Sequence, residues 1–130
     1  MPGRLSLRIL AVIAAGGALG SVLRVTIAEL MGTGQASRLA ATLTVNIVGA
    51  LAIGIAYPWI RERSRSVLLQ PFVVTGVLGG FTTFSTFAAD VVVHDGQIVL
   101  VLGYLAATLI AGLLAVPIGS ALHQRLRRSA

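Results

Sequence analysis

The residues with chemistry to offer concentrate between Gly76 and Phe87, which reads Gly-Val-Leu-Gly-Gly-Phe-Thr-Thr-Phe-Ser-Thr-Phe. Three glycines in five positions precede four hydroxyl side chains, Thr82, Thr83, Ser85 and Thr86, interleaved with three phenylalanines. The stretch interrupts an apolar run where a membrane helix would otherwise continue. A glycine in a helix interior costs roughly 1 kcal/mol relative to alanine, so the pair Gly79-Gly80 predicts a broken helix. A break at bilayer depth frees backbone amides and carbonyls that lipid cannot satisfy; protein, water or an ion must partner them. For the glycine pair alone, a kinked and tightly packed helix is an equal reading. The Thr-Thr-Phe-Ser-Thr-Phe run favours a functional break.

Other spans offer polar groups at matching depth. Asn46 lies within Thr42-Leu-Thr-Val-Asn46-Ile-Val-Gly49, with Thr42 one turn earlier on the same face. Further on, Tyr104 and Thr108 are one turn apart, with Gly112 next along the stripe. Phe84 and Phe87, spaced i, i+3, share a helix face. Taken singly, each is weak: a hydroxyl can bond its own i−4 carbonyl, and an intramembrane amide is as readily helix-helix glue. Together they form three polar stripes with no carboxylate at their centres. Amide N–H, hydroxyl and aromatic edges present partial positive charge, whereas a cation route would recruit Asp or Glu. The pattern predicts an anion pathway. Asp90, one turn past Phe87, and Glu29, near a helix end, read as mouth residues. Arg24, deeper in the first span, either snorkels to an interface or adds positive potential to a vestibule. No catalytic constellation appears: His94 and His123 fall in or near expected loops, and the glycine-rich stretch lacks the Lys-Ser/Thr of a phosphate-binding loop. The chain reads as non-enzymatic.

These residues need elements that place them at membrane depth. Of 130 residues 56% are hydrophobic and 11% charged, with mean hydropathy +0.94; a soluble domain carries about 25% charged residues. Four apolar spans follow, Ile9 to Met31, Leu39 to Ile60, Val67 to Val93 and Ile98 to Leu122. Each exceeds the roughly 20 residues a crossing requires. The connections Gly32–Arg38, Arg61–Ser66 and His94–Gln97 are short, so residues 1–130 read as a single four-helix transmembrane domain. Zero cysteines exclude disulfides and thiolate metal sites. The net charge of +6 is arginine alone, at the ends of spans, where phospholipid head groups rather than nucleic acid are the expected partner.

Arg4 and Arg8 before Ile9–Ala15 imitate a signal peptide, but the apolar run continues to Leu30, and an uncleaved first helix is preferred. Arg4, Arg8, Arg61, Arg63, Arg65, Arg125, Arg127 and Arg128 share one side, against Arg38 on the other. The positive-inside rule therefore predicts cytoplasmic N- and C-termini. Small residues recur at close-packing spacings, Gly16 with Gly20, Ala50 with Gly54 and Ala111 with Ala115. Tyr57-Pro58-Trp59 reads as the interfacial end of the second helix.

The motifs Gly16-Gly17-Ala-Leu-Gly20-Ser-Val-Leu-Arg24, Thr42-Leu-Thr-Val-Asn46-Ile-Val-Gly49 and Gly79-Gly80-Phe-Thr82-Thr83-Phe84-Ser85-Thr86-Phe87 resemble those of the Fluc (CrcB-type) fluoride channels, over nearly the whole chain. The resemblance implies an all-α membrane protein of four transmembrane helices, the third broken at Gly79-Gly80, forming an antiparallel dual-topology dimer in the cell membrane. It implies a passive fluoride-selective channel that sheds cytoplasmic fluoride. It places Asn46, Phe84, Phe87, Thr42, Ser85, Tyr104 and Thr108 along the anion pathway and Arg24 and Asp90 at a vestibule. A structural sodium ion at the dimer centre would be held by the backbone carbonyls of Gly79 and Thr82.

Three departures from the family pattern stand out. Asp90 replaces an expected glutamate, Gly112 replaces a hydroxyl, and the arginine bias suits one fixed orientation. The bias favours pairing with an oppositely oriented paralogue over a homodimer. Rival functions are a small proton-coupled multidrug exporter, for which the only first-helix acid is Glu29, and a non-transporting structural subunit.

Overall fold

The computed structural model describes residues 6–93 and 98–129, apart from the side chains of Val91 and Val93; Arg4 and the connection expected at His94–Gln97 lie outside the described residues. The secondary structure described is all helical: α1 (Leu7–Leu30), α2 (Gln35–Arg63), a π-helical segment (Pro71–Leu78), α3 (Gly79–Phe81), α4 (Phe84–Val93) and α5 (Ile98–Arg128). Among the described residues, four stretches are long and apolar enough to cross a membrane: α1, α2, Pro71–Asp90 and α5.

Two of the helices outrun their predicted ends. At 1.5 Å per residue, the 29 residues of α2 and 31 of α5 span about 44 and 46 Å, against a hydrocarbon core of about 30 Å. Arg61 and Arg63 therefore continue α2, and Arg125, Arg127 and Arg128 continue α5, instead of lying in loops. Cations in a last turn face the negative end of the helix dipole. The first connection is also shorter than expected, because Gly32, with φ 100°, turns the chain at once and α2 starts at Gln35.

Nor does Tyr57-Pro58-Trp59 end α2, which continues through Pro58. Proline has no N–H, so the carbonyl four residues back, that of Gly54, loses its helical donor. Ser120 Oγ of α5 supplies one at 3.0 Å. The neighbouring helix repairs the ladder, and the helix survives.

The helices associate as two pairs. α1 packs on the third span through glycines: a Cβ on Gly16 would lie 2.9 Å from the Val77 amide nitrogen, and one on Gly20 2.8 Å from that of Phe81. Likewise, α2 packs on α5 where a Cβ on Gly54 or Gly119 would lie 3.1 Å from the other's Cα. Such backbone approach is the usual use of small residues in membrane helices. Contacts advance in the same direction along both partners, Gly16 to Gly76 then Gly20 to Phe81, and Gly54 to Gly119 then Glu62 to His123. Each pair is therefore parallel.

The interruption expected at Gly79-Gly80 is not there: both glycines are helical in α3. Helical geometry is lost at Thr82, with φ −75° and ψ 154°, and resumes at Phe84. Gly80 serves packing, since its Cβ would lie 2.9 Å from the Gly17 Cα. The lack of a Cβ at Gly80 thus permits a close crossing with α1, and the helix gives way two residues later. Ahead of α3, the π-helical turns of Pro71–Leu78 carry Gly76 onto α1, a feature with no sequence signal.

Candidate ion pathway

The segment Thr82–Thr83 is held open by a side chain from the other helix pair. Asn46 on α2 donates from Nδ2 to the Thr83 carbonyl at 3.0 Å and accepts the Thr83 N–H on Oδ1 at 2.8 Å. A primary amide satisfies both backbone groups of one residue as a neighbouring strand would. The Thr83 N–H is thereby diverted from the Gly79 carbonyl, its partner in an uninterrupted helix. At the preceding helical end, the Gly80 carbonyl receives Arg24 Nε at 3.3 Å and Ser21 Oγ at 3.5 Å, a cation at the negative end of a helix. Beyond the gap, Thr83 Oγ1 accepts the Thr86 N–H at 3.1 Å, which caps α4.

Two cavities flank this segment. One, of about 360 Å³, is lined by Arg24, Glu29, Arg38, Thr42, Thr83 and Thr86 among others. With two arginines against one glutamate, its wall favours anions. The second, of about 260 Å³, is lined by Asn46, Thr82, Thr83, Phe84, Phe87 and Thr108, with Leu109, and no charged side chain borders it. Thr83 lines both. Within the second cavity Thr108 is buried, and its Oγ1 makes no hydrogen bond with the protein. A buried hydroxyl left so costs about 1–3 kcal/mol and stands ready to donate to an occupant. Phe84 and Phe87 meet with ring centroids 5.8 Å apart; Phe87 is 6% exposed and Phe84 77%. The inner ring is packed within the chain, and the outer one lies on its surface.

The predicted residues thus fall into separate places. Asn46, Phe84, Phe87 and Thr108 converge on the second cavity, and Thr42 and Arg24 line the first. Ser85 is exposed and lines neither, with its Oγ 3.3 Å from Thr83 Oγ1; Thr86 takes the place expected of it, because the break resets the helical register. Tyr104 borders neither cavity either: its hydroxyl donates to Asp90 Oδ2 at 3.1 Å, and its ring packs 5.4 Å from that of Phe87. Asp90, expected at a mouth, is 3% exposed, because α4 turns it inward onto α5. A third cavity, of about 390 Å³ and mostly apolar, lies on the far side of Tyr104 between α2 and α5. Gly112 meets open space: a Cβ there would touch nothing within 4 Å.

Sequence reasoning places Thr83 and Thr86 with Ser85 in the third span's hydroxyl stripe without assigning either a specific role, and gives Ser21 none, although its position in the first-span motif is a signal. His123, expected in or near a loop, is buried within α5, where its Nε2 lies 3.2 Å from Glu62 Oε2, while Arg127 Nη1 lies 3.1 Å from Glu62 Oε1. This ties the ends of α2 and α5 together, away from both cavities.

Residues 11–120 match the family described as CrcB-like protein, Camphor Resistance (CrcB). The chain is 39% identical over 119 residues to fluoride-specific ion channel FluC 2 of Nocardia farcinica, covering 86% of this chain and 82% of that one. It is 41% identical over 109 residues to FluC of Paracoccus denitrificans, with 82% and 87% covered. With FluC of Agrobacterium fabrum identity is 41% over 126 residues, with 90% and 97% covered.

Proposed function

This chain belongs to the CrcB-like family, a multi-pass membrane protein family, and from that premise we propose that it is a fluoride-selective channel, not an enzyme, that passively exports fluoride and lowers its cytoplasmic concentration. One observation carries the proposal: the buried Thr108 hydroxyl, free of any protein partner, in an uncharged cavity with the Asn46 amide and the Phe84 and Phe87 rings. Fluoride is compact and strongly hydrated, so a pore must replace its water with donors. Asn46 keeps one amide hydrogen beyond that given to Thr83, and ring edges are electropositive. The arginine-bearing first cavity concentrates anions before they reach these groups.

We further propose that the pore is completed by a second subunit in antiparallel orientation across Phe84 and Gly79, both exposed on the protomer. With both termini cytoplasmic, the arginine-rich ends of α2 and α5 fix this chain's orientation and favour an oppositely inserted paralogue over a second copy. The donor set also suits a sodium ion at the dimer centre. Diversion of the Thr83 N–H to Asn46 releases the Gly79 carbonyl, and Thr82 leaves the helix in extended geometry. Backbone carbonyls are hard oxygen donors; those of Gly79 and Thr82 would hold the ion, which would neutralise helix ends that lipid cannot.

The test is fluoride-electrode efflux from liposomes holding the purified chain, alone and with candidate partner subunits, against chloride. Voltage-driven fluoride efflux without chloride efflux is expected. Its absence with every partner would falsify the channel assignment, and wild-type rates from the chain alone would remove the obligate paralogue.

A further inference from the structure

Thr83 stands where the two cavities meet, yet its side chain points its hydrogen bonds back along the protein. Its Oγ1 accepts the Thr86 N–H at 3.1 Å and donates to Thr86 Oγ1 at 3.0 Å, with Ser85 Oγ at 3.3 Å. Its backbone is clamped on both sides by Asn46. Thr82, by contrast, is tied by both its N–H and its hydroxyl to the Leu78 carbonyl behind it, so Thr83 is the residue of the segment whose bonds reach forward into α4 and across to α2.

We propose that Thr83 is the positioning residue of the pathway: its hydroxyl caps α4 and so sets the direction in which Phe84, Thr86 and Phe87 face the two cavities. This rests on the fluoride-channel reading for its functional consequence, but the capping itself does not. The physical basis is that α4 has only 10 residues and starts after a gap. Its first amides have no carbonyl from a preceding turn, and a capping oxygen decides whether the first turn forms. Phe84 is the first residue of that turn and Phe87 lies one turn on, so fraying at Thr86 would release both rings. The hydroxyl also sets hydrogen-bond polarity. Because Thr83 gives its own proton to Thr86 Oγ1, the Thr86 proton must turn elsewhere, and Thr86 lines the arginine-bearing cavity. Thr83 thus orients a donor toward the vestibule without offering its own.

The proposal makes capping ability the controlling variable. Serine and asparagine cap at least as well as threonine, while valine keeps the shape and loses the cap. Thr83→Ser and Thr83→Asn are therefore expected to keep fluoride efflux within about twofold of wild type, and Thr83→Val to lower it about tenfold with assembly unchanged by size-exclusion chromatography. Hydrogen–deuterium exchange over residues 84–90 reads the cap without fluoride: about five- to tenfold faster exchange in Thr83→Val, none in the other two. Should wild-type protein conduct no fluoride while the exchange ranking holds, the channel reading falls and the cap stands. Efflux retained in Thr83→Ser but lost in Thr83→Asn makes the hydroxyl itself a pathway ligand and overturns the positioning role. Wild-type exchange in Thr83→Val overturns the proposal outright, and if that variant does not assemble, the Ser and Asn pair decides.

Discussion

The two helix pairs solve the same problem in opposite ways. In α2–α5, Pro58 orphans a single carbonyl, that of Gly54, and Ser120 restores its bond at 3.0 Å; the helix runs on for 29 residues. In the α1–third-span pair the backbone leaves helical geometry at Thr82, and several groups lose partners together. Ser21 and Arg24 reach the Gly80 carbonyl from within the pair, but the backbone N–H and carbonyl of Thr83 are satisfied by Asn46, from the other pair. One lost hydrogen bond is repaired locally and disappears into a scaffold. A cluster of them needs a donor across the bundle, and the space around that donor becomes a cavity. The intact pair thereby acts as the anvil against which the broken span is held, through Asn46 at Thr83 and Tyr104 at Asp90.

The severest way to break the comparison is to force either pair apart. A Cβ on Gly20 would meet Phe81 N at 2.8 Å and one on Gly119 the Gly54 Cα at 3.1 Å, and backbone cannot step aside as a flexible side chain can. Gly20→Val and Gly119→Val should each cost about 3 kcal/mol or more, seen as lost folded yield in detergent. Gly112→Ala, facing open space, should stay within about 0.5 kcal/mol.

Next in size is the link between the pairs. Asn46→Asp keeps an acceptor for the Thr83 N–H but sets an oxygen against the Thr83 carbonyl, a loss of about 1–3 kcal/mol. Fluoride efflux should fall with it, and unchanged conduction at neutral pH would leave the amide without a role in the pathway. The rings separate stability from flux: Phe84→Ile and Phe87→Ile should both suppress efflux with assembly intact. Only Phe87, buried between two rings, should lose thermal stability in the protomer, by about 1 kcal/mol. Smaller still is Ser120→Ala, which orphans the Gly54 carbonyl at about 1 kcal/mol. In a Pro58→Ala background, where the helical N–H returns, the same change should be near neutral, and additive losses in that double-mutant cycle would mean Ser120 stabilises by other contacts. Least of all, Glu62→Gln should shift melting only slightly and less at high salt, because Glu62 and Arg127 are solvent-exposed and Gln keeps a hydrogen-bonding group for the buried His123.

Hydropathy made the four spans legible, because the burial of apolar residues in lipid depends on composition and length alone. Helix ends were less so: Arg61 and Arg125 look like loop residues, yet a polar side chain past the hydrocarbon can extend a helix freely. Gly79-Gly80 misled, since the lack of a Cβ reads the same whether it serves a break or a crossing, and only the proximity of Gly17 to Gly80 distinguishes them. Asn46, Phe84, Phe87 and Thr108 were legible as polar or aromatic groups out of place in an apolar span. Ser85 was not separable from Thr86, because the register after Thr83 depends on where the helix restarts. The Asp90–Tyr104 pair was hidden for another reason, as it depends on how closely α4 approaches α5.

The outward position of Phe84, 77% exposed on the protomer, has a consequence for the life of the chain before assembly. Under the proposed pairing, the cavity it borders has lipid for one wall until a partner arrives. Hydrocarbon there offers an ion no solvation, so a lone chain in the bilayer would be electrically silent. On that proposal, newly inserted chains would accumulate without dissipating ion gradients, and the conductive route would come into being only with the contact that closes it.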